Sequence, residues 1–167
     1  MKRLTLILTI LVAAASCALS AADAPKRHGW NDKTMGGPLY GNVESVTITR
    51  YSLKDSLGVL SRSKINFKSS CYKFNDSGDV TEDAIYNSDG SLSHKYIYKY
   101  DAQGNNTELA EYNSDGLLIS KFIYKYDTKG NNTEKAWYDS AGSLKSKTIY
   151  KYDTKGNETE YAKYTSD

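Results

Sequence analysis

Cysteine and proline are nearly absent, with two of each in 167 residues. Cys17 lies in the N-terminal apolar run and Cys71 stands alone in the body of the chain, so no disulfide framework is available to staple the fold. Histidine is as scarce. His28 and His94 are far apart and have no partner pattern for metal ligation or base catalysis, so neither a metal nor a cofactor is expected. A net charge of +2 excludes the basic stripe of a nucleic-acid binder, and no apolar run is long enough for a membrane-spanning helix.

Tyrosine is abundant, with 15 copies, and much of it recurs in step with glycine. Asn or Asp, two residues and then Gly appear at Asn75 to Gly78, Asn87 to Gly90, Asp101 to Gly104, Asn113 to Gly116, Asp127 to Gly130, Asp139 to Gly142 and Asp153 to Gly156. The spacing alternates between 12 and 14 residues, which makes a 26-residue repeat. An Asx at the first position bonds its own backbone, and Gly at the fourth accepts positive φ, so each motif predicts a type I turn closed by a bulge. The 8 and 10 residues between motifs are ordinary strand lengths. The expected fold is all-β: an antiparallel meander of about nine strands built from hairpin repeats, coiled into an open sheet or a partly closed barrel.

With Asp101 set opposite Asn105, even numbers face even numbers. Twelve of the fifteen tyrosines then share one face, which would have to be enclosed. Glu82, Glu108, Glu134 and Glu160 fall among them, with carboxylates expected to accept hydrogen bonds from tyrosine hydroxyls. The odd face carries Ile97, Ile123 and Ile149 between lysines.

Before the repeats, residues 1–24 read as a signal peptide: Lys2 and Arg3, an apolar core from Leu4 to Ala15, then small residues with cleavage after Ala22 or Ala24. Ala14-Ala-Ser-Cys17 is a loose lipobox, so Cys17 is a lipidation candidate and the route to a membrane if acylated. Residues 25–42 form a Gly-rich tether holding Trp30, either disordered or packed as a lid on the sheet. Residues 43–74 form an irregular opening hairpin with a turn at Asp55 to Gly58 and a bulge or loop near Ser61 to Ser63. Residues 75–167 are the repeats, and residues 43–167 are expected to form one domain ending in an unpaired edge strand.

Ile97-Tyr-Lys-Tyr-Asp101, Gly104-Asn105 and Thr107 return in phase as Tyr124-Lys-Tyr-Asp127 to Thr133 and as Tyr150-Lys-Tyr-Asp153 to Thr159. This pattern resembles the YD or RHS-type repeat, and the chain is similar to short secreted repeat proteins of the Bacteroidetes. The resemblance covers residues 71–167 and implies the fold and export, to the periplasm, the outer membrane or the medium. Large RHS toxins use similar repeats to shell a cargo domain, whereas the few repeats read here lead to the expectation of no such encapsulation.

The expected role is a non-enzymatic binding or scaffold module at the cell envelope. Its candidate ligand residues are Tyr98, Tyr124, Tyr150, Glu108, Glu134 and Trp137, and its partners a glycan or an envelope protein. Trp137, in the column of Ile85, Glu111 and Lys163, is the foremost exposed aromatic contact. One alternative is a glycan-active hydrolase using the glutamate column; the other is a structural protein that self-associates through its edge strand. The sequons at Asn105, Asn131 and Asn157 are expected to close the bulges of their turns rather than to carry glycans.

Overall fold

The computed structural model of the protein describes residues 5–11, 39, 43–62 and 69–166. Cys17, the tether apart from Leu39, and the expected irregularity beyond Arg62 lie outside the described residues.

Among the described residues every regular element is a strand: β1 (Thr5–Leu11), β2 (Ser45–Ser56), β3 (Val59–Arg62), β4 (Ser69–Phe74), β5 (Val80–Tyr86), β6 (Leu92–Tyr100), β7 (Asn106–Asn113), β8 (Leu118–Tyr126), β9 (Asn132–Asp139), β10 (Leu144–Tyr152) and β11 (Glu158–Thr165). The hydrogen-bonded order is β1-β2-β4-β5-β6-β7-β8-β9-β10-β11, with β3 folded back on β2. The expected nine-strand meander is β2 with β4 to β11, and the sheet is not closed into a barrel. Thr5–Leu11, placed in the leader by its sequence, pairs with β2 in the full-length chain, from Thr5 opposite Ser52 to Leu11 opposite Val46. Contacts divide the chain into two compact units, Met1–His94 and Lys95–Asp167.

The repeat turns form as their residues dictate. Asp127 N–H donates to Asn131 O at 3.0 Å, and Gly130 N–H donates to Asp127 O at 3.1 Å. The Asp127 carboxylate accepts from Lys129 N and Asn131 N through Oδ1 and from Asn131 Nδ2 through Oδ2. Gly130 has φ +85°, where a side chain would be strained. Asp101 with Asn105 and Asp153 with Asn157 repeat the arrangement, so all three sequon amides are committed to closing turns. The opening hairpin differs. Ser56 pairs with Val59 across only Leu57 and Gly58, both at positive φ, which is a two-residue type I′ turn rather than the repeat motif.

The strand register overturns the expected parity. Tyr126 lies opposite Asn132, but Lys125 lies opposite Glu134, because Thr133 is an extra residue in β9. The same one-residue bulge recurs at Thr81, Ile119, Lys145 and Thr159. Each bulge shifts the count by one, so beyond it odd numbers face even numbers. The tyrosines expected on one face are therefore divided, with Tyr124 and Tyr150 on one side and Tyr112, Tyr138 and Tyr164 on the other. Neither face then carries the whole aromatic load that seemed to demand enclosure.

In the first unit, Val46 beside Tyr72 and Ile48 beside Ser70 form a buried even-numbered face, joined by Val80. Leu39 and Val43 are buried as well. Cys71, opposite Ala84 and Thr47, carries a free thiol and fills the column that isoleucine occupies in later repeats.

In the second unit, one face is ionic. Lys99 pairs with Glu108, Lys125 and Lys147 both reach Glu134, and Lys151 pairs with Glu160, at 2.8 to 3.1 Å. Ala110 and Ala136 are buried between them, while Lys121 lies over the Tyr138 ring. The glutamate partners are therefore lysine ammonium groups and not the tyrosine hydroxyls expected.

Candidate functional site

The opposite face of the second unit carries an open cleft of about 420 Å³. It is built in cross-strand rows. In the first row, Phe122 on β8 lies opposite Trp137 on β9, and Trp137 opposite Ser146 on β10. The two rings stack at 6.4 Å between centroids with 19° between planes. In the second row, Lys135 lies opposite Thr148, and Thr148 opposite Lys163 on β11. In the third, Tyr150 meets Tyr161 edge to face at 5.6 Å.

These side chains share a face because residues alternate along each strand and the bulge brings even positions of β8 and β10 beside odd positions of β9 and β11. Aromatic pairs thus bound a middle strip of ammonium and hydroxyl groups. The Lys135 ammonium lies 4.8 Å from the Phe122 ring centre and 5.9 Å from that of Tyr124, which holds it close to the floor by cation–π attraction. Burial raises the Tyr124 phenol above its ordinary pKa, so it stays a neutral donor at physiological pH.

The candidate residues fall into two groups. Trp137 and Tyr150 line the cleft, and Tyr124 adjoins it through Phe122 and Lys135. Tyr98 lies on the same face but outside the cleft: it alternates with Tyr96, whose hydroxyl donates to Glu111 Oε1 at 3.2 Å, and Glu111 also accepts from Ser120. Glu108 and Glu134 are on the ionic face, away from every aromatic lining residue. The Lys147 ammonium, with Lys125 beside it, holds the Glu134 carboxyl below its usual pKa.

Phe122, Lys135, Ser146, Thr148, Tyr161 and Lys163 line the cleft without having been singled out from sequence. A signal for them was present in the repeats. Four columns vary strongly between copies: Ser70, Tyr96, Phe122, Thr148; Lys68, His94, Ser120, Ser146; Asp83, Leu109, Lys135, Tyr161; and Ile85, Glu111, Trp137, Lys163. Seven of the eight lining residues come from these columns, two each from the first, third and fourth and one from the second; the eighth is Tyr150. The ionic face, by contrast, repeats Glu, Ala and Tyr without change at Glu108, Ala110 and Tyr112, at Glu134, Ala136 and Tyr138, and at Glu160, Ala162 and Tyr164.

No family model matches the chain, and no curated protein matches it. Among solved structures it is similar to a porin-like protein from Bacteroides uniformis, with TM-score 0.37 and 12% identity over 68% of this chain and 41% of that one. It is also similar to a TcdB2-TccC3-TEV structure, with TM-score 0.25 and 13% identity over 97% of this chain and 11% of the other. The chain thus spans well under two thirds of either protein.

Proposed function

We propose that the protein is an exported, non-enzymatic repeat protein of the YD or RHS type that acts as a binding module at the cell envelope, taking a glycan or protein ligand in the cleft of β8 to β11. One observation carries this reading. Seven of the eight residues lining one open, aromatic-walled patch come from columns that vary between repeats, while the Glu, Ala and Tyr columns of the ionic face stay constant. Export rests on residues 1–24, and cleavage there would remove β1 from the sheet.

The hydrolase alternative is less well supported. Glu108, Glu134 and Glu160 lie on alternate strands, about 10 Å apart by strand spacing, at the outer limit for a carboxyl pair in glycoside hydrolysis. Each is paired with lysine, and the lysines hold the Glu134 carboxyl below its usual pKa, which disfavours it as an acid toward a leaving group. Self-association remains as a second role, because β11 pairs only with β10 among the described residues and exposes Tyr161 and Tyr164.

Screening the full-length chain against glycan and peptide arrays tests the main reading. Binding that falls about tenfold or more in Trp137→Ala, at unchanged thermal stability, is expected from the loss of a central aromatic contact. Binding untouched by Trp137→Ala and Tyr150→Ala would refute the cleft, and turnover abolished by Glu108→Gln would restore the hydrolase. Mass spectrometry of the processed protein, compared with Cys17→Ala, decides between lipidation and simple cleavage.

A further inference from the structure

Building on the binding reading above, we infer that the cleft selects an acidic saccharide, with a carboxylate or sulfate group held between Lys135 and Lys163 and sugar rings stacked on the aromatic pairs at either side.

The argument starts from where the lysine charges are satisfied. On the ionic face of this unit, four lysines, Lys99, Lys125, Lys147 and Lys151, each have a glutamate within 3.1 Å, while Lys95 and Lys121 lie over the Tyr112 and Tyr138 rings. On the cleft face, Lys135 and Lys163 have no carboxylate partner among the described residues, and none of the eight lining residues is acidic. The nearest acidic side chain of that face on β7, Glu111, is already engaged by Tyr96 and Ser120.

Lys135 and Lys163 stand in one row with Thr148 between them, their backbones two strands or about 10 Å apart. The Lys135 ammonium rests over the Phe122 ring, and swinging its stem toward β10 brings both ammonium groups to one anion beside Thr148, whose hydroxyl can donate a hydrogen bond. Two like charges facing an aromatic floor repel each other weakly in water and gain most when an anion sits between them.

The shape of the surroundings selects the rest of the ligand. Phe122 and Trp137 stack as a flat platform before this row, and after it the Tyr150 and Tyr161 rings, set edge to face, form an angled aromatic wall. The apolar C–H face of a sugar ring packs on such platforms, while its hydroxyls meet Ser146 and Thr148. An acidic peptide supplies the charge but no flat ring for the platforms. A neutral glycan supplies the rings and leaves both ammonium groups unpaired.

Titration calorimetry on the full-length chain decides the matter with three probes: a tetrasaccharide of hexuronic acid, the same oligosaccharide as its methyl ester, and a tetraglutamate peptide. The acid should bind at least about tenfold more tightly than its ester. That preference should collapse in Lys135→Gln and Lys163→Gln, both with unchanged thermal unfolding, and weaken on raising salt from 50 to 300 mM. Equal binding of acid and ester would overturn the inference while leaving the cleft reading intact. Tetraglutamate matching the uronate would overturn the saccharide class, and no binding of either sugar would overturn the inference altogether. Ligands found for the cleft by array, and lost in Trp137→Ala, would show the general reading surviving that failure.

Discussion

Leu57 is the residue where local chemistry and backbone conformation conflict. It takes φ +58° in a two-residue turn and its side chain is fully exposed, so it incurs left-handed strain with no burial in return. Leu57→Asn is expected to stabilise the full-length chain by roughly 1 kcal/mol, seen as a higher urea midpoint with unchanged slope. Asp83 shows the opposite conflict. Opposite Tyr72 on the buried face of the first unit, its Oδ1 is buried without a hydrogen bond, and burial pushes its pKa up to about 6. A carboxyl raised in the folded state favours folding most below its unfolded pKa, and that contribution is lost as pH rises through about 6. Asp83→Asn should therefore raise the melting temperature at pH 8, by the equivalent of about 1 to 2 kcal/mol, and leave it nearly unchanged at pH 4. A gain of equal size at both pH values would refute burial of the charged form as its cause. Neither conflict was legible from the repeat pattern, because Leu57 precedes the repeats and Asp83 occupies a variable column.

At the level of strands and turns, the repeat was legible because its chemistry is local. Asp127 and Gly130 build a turn from atoms within four residues of each other, whatever the rest of the chain does. The bulges were not legible in the same way. Thr133 donates its hydroxyl to the Lys125 carbonyl, and that bond across to the neighbouring strand marks the extra residue. Counting residues through the turn could place Glu134 among the tyrosines but could not show that Lys125 would stand opposite it. The resulting ionic face depends on its small residue. Ala136 is 1% exposed beneath the lysine stems and beside Ile123, so Ala136→Leu is expected to cost about 1 to 3 kcal/mol by overpacking. Glu134→Gln, which strips two lysines of their partner, should lower the urea midpoint, whereas Glu160→Gln at the half-exposed edge should leave it unchanged. Equal effects at the two sites would show that bracketing by two lysines adds nothing.

At the scale of the whole molecule, β11 presents exposed tyrosine rings and an outer edge that pairs with no other strand among the described residues. If the edge pairs with a second copy, sedimentation velocity should show dimers growing between about 1 and 100 µM, and a single monomeric species across that range would remove the self-association role. The candidate residues were only partly brought together: Trp137 and Tyr150 line the cleft, and Tyr124 adjoins it, while Glu108 and Glu134 pair with lysines on the other face. Sequence alone determined that this is an antiparallel array of hairpins with Asx-Gly turns, since alternation and turn chemistry act over a few neighbours and repeat every 26 residues. Which side chains share a face, and hence where a ligand can sit, was decided only in three dimensions. One inserted residue in a repeat strand pair reverses the inside-outside order beyond it, and at Thr81, Thr133 and Thr159 the insertion is marked by a hydroxyl bond to the neighbouring strand.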